Sequence, residues 1–248
     1  MIDAHLHLQD RAYDPDRDDV LRRAEAAGVR LLVCNGRRPA DWPAVLELSR
    51  SHPGVVPCFG LHPWYAGEAP AGWLETLEGF LDSVPSGVGE AGLDGAALGR
   101  AAQEEALRRQ LALARSRNRP LMLHCVRAFG RLLELLSAEG PPRAGFLLHA
   151  YRGPAGLVER FVRLNAYLSF SASCLDESRP RSVQALRAVP ADRLLLETDC
   201  PGSKSRGEPS DVRSVLRLAA RLRGESEDRL EAAIWENAGG LLGPLIRL

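Results

Sequence analysis

The stretch QEEALRRQLALARSRNRPLMLHC, residues 103–125, changes its period in the middle. Leu107, Leu111 and Ala114 recur at helical spacing, whereas Leu121 to Cys125 is a short apolar run that follows Pro120. Apolar residues every three to four positions lie along one face of a helix, and a brief apolar run after a breaker reads as a buried strand. A helix leading into a strand that ends near a histidine is the unit from which the rest of the chain can be read.

The same alternation extends in both directions. Strand-like runs are Ile2 to Leu8, Val29 to Asn35, Val55 to Leu61, Gly87 to Glu90, Leu121 to Cys125, Gly145 to His149, Tyr167 to Ser171 and Arg193 to Thr198. Helical patterns fill the intervals, as with Val20, Leu21 and Ala24 after the first run. There Asp14 and Pro15 read as an N-cap and a first-turn proline, and Gly28 as the glycine past the helix end. Repeated strand–helix units through 248 residues, with no linker or low-complexity break, predict one α/β domain over residues 1–248, a (β/α)8 TIM barrel. An open doubly wound sheet is the alternative, but no strand is followed by a GxGxxG turn.

Bulk properties narrow the function classes. Hydrophobic residues at 45% and charged residues at 26% describe a folded globular chain and exclude disordered and fibrous types. Lys plus Arg equals Asp plus Glu at 32 each, so no overall positive field draws in a polyanion, and local contacts must hold any nucleic acid. Cys34, Cys58, Cys125, Cys174 and Cys200 are widely spaced with no CxxC pair, which predicts buried reduced thiols. No apolar stretch reaches the roughly 18 residues of a membrane span, and the chain opens on MIDAHLHL rather than a basic leader. The expected location is the cytoplasm, with no membrane partner.

The chemically capable residues gather at strand ends: His5 and His7 on the first, His62 on the third, Glu90 on the fourth, His124 on the fifth, His149 on the sixth and Asp199 on the eighth. In a barrel these ends meet at the face where active sites lie. The strand period of two throws His5 and His7 to one side. Glu90 in GVGEAGLD is a carboxylate in a glycine-flanked strand, a costly place unless a cation or hydrogen bonds offset its desolvation. Taken singly, His124 and His149 read as core histidines bonded to backbone; on adjacent strands they read as a cluster. In LLLETDCP, Glu197 and Asp199 share a parity, so one of the two is structural, and Asp199, nearer the mouth, is the functional candidate. Cys125 and Cys200 alternate with their neighbours and should face the helices. Imidazole mixed with carboxylate suits zinc, manganese or iron.

The order HxH (5–7), GEAGLD (89–94), HC (124–125), HAYRG (149–153) and TDCP (198–201), with GLHP at 60–63 and NAGGLLG at 237–243, resembles the TatD-type family of metal-dependent deoxyribonucleases and related hydrolases, amidohydrolase-like barrels. The resemblance implies two divalent metal ions, zinc, magnesium or manganese. It implies His5, His7 and Asp199 on one ion, His124 and His149 on the other, and Glu90 bridging, with Asp199 and Glu90 catalytic. It further implies a hydrolase of ester bonds, a DNase or exonuclease acting on nucleic acid ends or a short phosphodiester. His62, Arg127, Arg152 and Lys204, just beyond the strands, are the candidate substrate contacts. Departures fall on the substrate side: Val126 stands where the family has an arginine, Gly95 and Ala96 replace an aromatic pair, Gly202 replaces a tyrosine, and the following loop is shortened to SRGEP. They keep open an amide, ester or lactone hydrolase on the same site, or a non-catalytic nucleic-acid-binding subunit of a larger complex.

Overall fold

The computed structural model describes residues 1–175, 178, 180–202 and 206–246. The apolar runs become eight strands: β1 (Ile2–Leu6), β2 (Leu31–Asn35), β3 (Val55–Phe59), β4 (Gly87–Asp94), β5 (Leu121–Val126), β6 (Phe146–Leu148), β7 (Ala166–Phe170) and β8 (Leu194–Leu196). They lie in chain order, each pairing in parallel with the next. Between them run α1 (Arg17–Ala26), α2 (Trp42–Ser51), α3 (Trp73–Ser83), α4 (Arg100–Ser116), α5 (Phe129–Glu139), α6 (Ala155–Arg163) and α7 (Pro180–Ala188), and α8 (Val212–Arg223) and α9 (Glu227–Leu242) follow β8. Parallel strands covered by helices are buried on both faces, and every residue of β1 to β4 is buried, the apolar ones with Asp3, His5, Glu90 and Asp94 among them. This is the (β/α)8 barrel read from the sequence.

Closure between β8 and β1 falls on the residues just past the end of β8. The Asp199 N–H donates to the His5 carbonyl at 3.0 Å, and the His7 N–H donates to the Cys200 carbonyl at 2.8 Å. The buried Asp3 carboxyl accepts the Thr198 N–H at 2.9 Å and its hydroxyl at 2.5 Å. The seam that seals the barrel therefore fixes His5, His7 and Asp199 against one another. From outside, Asn237 of α9 donates to the carbonyls of Ala191 and Leu194, each at 2.8 Å, and so secures the start of β8.

Several boundaries differ from the sequence reading. The first helix starts at Arg17 with Asp16 at its N-cap, not at Asp14 and Pro15. The chain first makes a short 3-10 turn at Arg11–Tyr13, capped by the Asp10 side chain and pinned by the fully buried Tyr13. Gly28 does take the left-handed conformation, φ +78°, past the helix end. β4 runs on to Asp94 because it pairs with β5 through Gly92↔His124 and Asp94↔Val126. Gly92 permits this approach: at φ +140°, a Cβ there would lie 2.0 Å from the His124 carbonyl oxygen. All five cysteines are free and buried. No helix among the described residues is long and apolar enough to cross a membrane.

Candidate metal centre

Six of the expected residues come from five different strands or their ends and meet around one carboxylate. Glu90, 2% exposed in the middle of β4, is the hub. Its Oε2 lies 3.5 Å from His5 Nε2 and 3.4 Å from His7 Nε2. Its Oε1 lies 3.0 Å from His149 Nε2 and 3.1 Å from His124 Nδ1. Asp199 Oδ1 completes the first side, 4.0 Å from His5 Nε2 and 3.8 Å from His7 Nε2. The His5 and His149 rings stack at 3.8 Å between the two sides. Asp199 reaches inward from a left-handed backbone, φ +55°.

Each of three imidazoles is turned by a partner on its far nitrogen. The His7 Nδ1–H donates to the Asn35 carbonyl at 2.7 Å, which leaves the Nε2 lone pair toward Glu90. His149 Nδ1 sits 3.3 Å from Glu197 Oε1, while Glu197 Oε2 accepts from the Ser169 hydroxyl. His124 Nε2 is 3.4 Å from Asp94 Oδ2, which also accepts the Trp64 indole N–H at 2.6 Å. Carbonyl or carboxylate partners of this kind fix the tautomer and ring plane of a metal-binding histidine. His62 is arranged the other way round. Its Nδ1 accepts the Trp64 N–H at 3.1 Å, so its Nε2–H is the group that donates to Glu90 Oε1 at 3.2 Å.

Asp94, Asn35 and Trp64 are not among the site residues expected from the sequence. Asp94 shares the strand parity of Glu90 within GEAGLD, a signal that could have found it. Asn35 acts through its backbone and Trp64 through a 3-10 turn, Pro63–Glu68, neither of which leaves a periodic trace. Glu197 proves to be the fully buried member of the acid pair, and Asp199, with a side chain 35% exposed, the one at the mouth.

Burial pushes the Glu90 carboxyl up, but His62, His149, His5 and His124 together hold it well below the usual carboxylate range. Burial opposes a charge on His149 as well, yet Glu90 and Glu197 raise it well above an ordinary imidazole. His7 is pushed down to about 3 by burial. Burial raises the Asp199 carboxyl, with Glu197 and Glu90 adding to it against the pull of His149 and His5.

The donor set fits a cation. Both ring nitrogens of His5 and Oε2 of Glu90 are buried with no hydrogen-bond partner, a costly state that a metal ion would relieve at one His5 nitrogen and at Oε2. Two ligands bound to one ion at about 2.1 Å stand roughly 3.0–3.6 Å apart, close to the separations around Glu90. Three sets of donor atoms, His5–His7–Glu90, His5–His149–Asp199 and His62–Glu90–His124, each lie within 4.8 Å of one another. Glu90 belongs to two of them and His5 to two.

Of the expected cationic contacts, Arg127 is exposed at the end of β5 and Arg152 is exposed after β6, where it donates to the Ser173 hydroxyl at 2.9 Å. Arg152 also lines a cavity of about 450 Å³ with Ser173, Cys174 and Arg181. His62 is buried within the cluster, 2% exposed, rather than on its open side. Lys204 lies outside the described residues.

The same fold and sequence pattern recur in known proteins. The chain is 33% identical over 260 residues to the 3'-5' ssDNA/RNA exonuclease TatD of Cronobacter sakazakii, covering 97% of each. It is 29% identical over 249 residues to YabD, a metal-dependent hydrolase of Bacillus subtilis, covering 96% of this chain and 97% of that one. The crystal structure of YjjV, a TatD homolog from Escherichia coli K12, superposes with a TM-score of 0.91 at 27% identity over 97% of each chain. Residues 2–243 match the sequence model of the family described as TatD related DNase, and this barrel with its imidazole–carboxylate cluster belongs to that family.

Proposed function

We propose that the chain hydrolyses phosphodiester bonds at nucleic acid ends or in short oligonucleotides, using two divalent cations. The observation that carries this reading is Glu90, whose two oxygens face different histidine groups, His5 and His7 on one side, His124 and His149 on the other. One carboxylate between two imidazole sets suits a shared ligand: His5, His7 and Asp199 would hold one ion, and His124 and His149 the other. Donors this rich in imidazole favour zinc or manganese over magnesium, which prefers oxygen. The ssDNA/RNA activity named for the Cronobacter relative supports the substrate class.

Divalent ions at such a centre supply Lewis acidity, lowering the pKa of water and offsetting charge on phosphate oxygens. The protein's own groups do the rest. Asp199 turns Oδ1 toward His5 and His7, and its second oxygen orients the attacking water and accepts its proton; its raised carboxyl suits proton transfer nearer neutrality. His62 steadies Glu90 by donating to it. Arg127 and Arg152, exposed just beyond β5 and β6, hold flanking phosphates, a role the sequence position of Lys204 after Asp199 also suits. Five buried free thiols support a reducing, cytoplasmic setting.

The test is end-labelled single-stranded DNA and RNA incubated with protein loaded in turn with zinc, manganese and magnesium. Cleavage by the isolated chain, lost in Asp199→Asn, supports the proposal and removes any need for a larger complex. No cleavage under any of these ions overturns it, and turnover only on an ester, lactone or amide panel reassigns the centre.

A further inference from the structure

Trp64 and Leu98 are the large apolar side chains left open to water among the described residues, Trp64 at 56% exposure. Both flank Asp94. The Trp64 indole N–H donates to Asp94 Oδ2 at 2.6 Å, and the Asp94 backbone is held in turn by Gln103 of α4, whose Nε2 also grips the Leu98 carbonyl. The indole and His62 rings meet at 71° with centres 4.6 Å apart, and the indole centre lies 6.2 Å from that of His124. It is therefore anchored at its nitrogen and braced against His62, while more than half of the residue's surface stays open to water beside the cluster. Folding gains little from leaving a fixed indole in water, whereas an aromatic face beside phosphodiester chemistry is what an unpaired base stacks on.

We infer that Trp64 is the stacking platform for the nucleobase of the nucleotide adjoining the bond to be broken. The choice of ligand rests on the phosphodiester reading above. The platform takes single strands, because a base inside a duplex has both faces covered, and it tolerates any base, because every base presents a π face. It also gives the anchored indole two separable duties, holding Asp94 through its nitrogen and holding the base through its ring.

Binding is measured without turnover, by anisotropy of a fluorescein-labelled oligo-dT in EDTA, with wild type, Trp64→Ala and Trp64→Phe checked for fold by circular dichroism. Trp64→Ala weakens binding roughly tenfold, the usual worth of one stacked base. Trp64→Phe, which keeps a ring and loses the N–H, recovers most of that affinity. Oligo-dT made abasic at the nucleotide that occupies the platform, tried at each end, binds wild type and Trp64→Ala alike. Equal affinity of wild type and Trp64→Ala for intact oligo-dT overturns the inference, as does absence of wild-type binding. Trp64→Phe as weak as Trp64→Ala also overturns it, since the indole then serves only Asp94. If the Trp64-dependent binding is present but no cation elicits cleavage, the proposed hydrolysis fails while the platform stands.

Discussion

Glu197 Oε1 stands 3.3 Å from His149 Nδ1 in a fully buried position, with Ser169 on its other oxygen. Glu197 thereby fixes which nitrogen of His149 faces Glu90. Glu197→Gln keeps the shape and removes the charge, and loss of such an orienting partner typically costs about 10–100-fold in metal affinity or activity. We expect that range in competition with a chromogenic chelator, with a near-native circular dichroism spectrum. An unchanged metal affinity would show that His149 needs no help from Glu197.

Glu90→Gln tests the bridge directly. Removing the one charge shared by both sides should leave at most one tightly held ion per chain and reduce hydrolysis roughly a hundredfold or more, several kcal/mol of lost charge stabilisation. Elemental analysis after dialysis reads the first effect. Thermal melting reads a third: cation at about 100 times its Kd adds about 2.7 kcal/mol to wild-type stability, and the variant should lose most of that gain. Two ions retained by the variant would contradict a bridging role.

Metal uptake should release protons. The metal-free cluster holds His149 in its charged form well above the usual imidazole range, and only the neutral ring binds a cation. Its folded-state value being raised, the contribution of His149 to metal-free stability is fully present below the unfolded imidazole value and fades as pH rises through the folded one. A bound ion displaces that proton, so metal affinity falls as the solution is acidified. Titration calorimetry near neutral pH in two buffers of different ionisation enthalpy should give different apparent heats; identical heats would mean that no proton leaves.

The parts of this centre that sequence makes legible are those set by covalent periodicity. His5 and His7 had to share a side because alternate residues of a strand do, and His124 and His149 were marked by apolar runs that ended on them. The same parity joined Glu197 to Asp199, and nearness to the mouth singled out Asp199; the left-handed turn that aims it inward after β8 has ended leaves no periodic trace. His62 was visible as a strand-end histidine, but its direction was not: a 3-10 turn beginning at Pro63 points the ring into the cluster. Asn35 contributes a carbonyl, which no side-chain pattern reveals. The first helix begins later than Asp14 and Pro15 suggest because Asp10 caps a 3-10 turn first and buries Tyr13, a step that no periodicity announces.

Gly92 is the position where strand pairing and the metal centre are most tightly coupled. A Cβ at Gly92 would come 2.0 Å from the His124 carbonyl oxygen and 3.0 Å from its amide nitrogen, and the residue sits at φ +140°, which L side chains rarely adopt. Backbone, unlike a flexible side chain, has nowhere to withdraw, so Gly92→Ala must push β5 away from β4. The combined strain and overpacking should cost about 2–4 kcal/mol, visible as a lower urea midpoint. Because the strand that moves carries His124, the loss of metal affinity in whatever protein remains folded should exceed that of an equally destabilising change far from the cluster. Asn237→Ala provides that control, since it frees only the carbonyls of Ala191 and Leu194 at the start of β8. If both variants bind metal equally well when folded, the close approach at Gly92 serves the barrel alone.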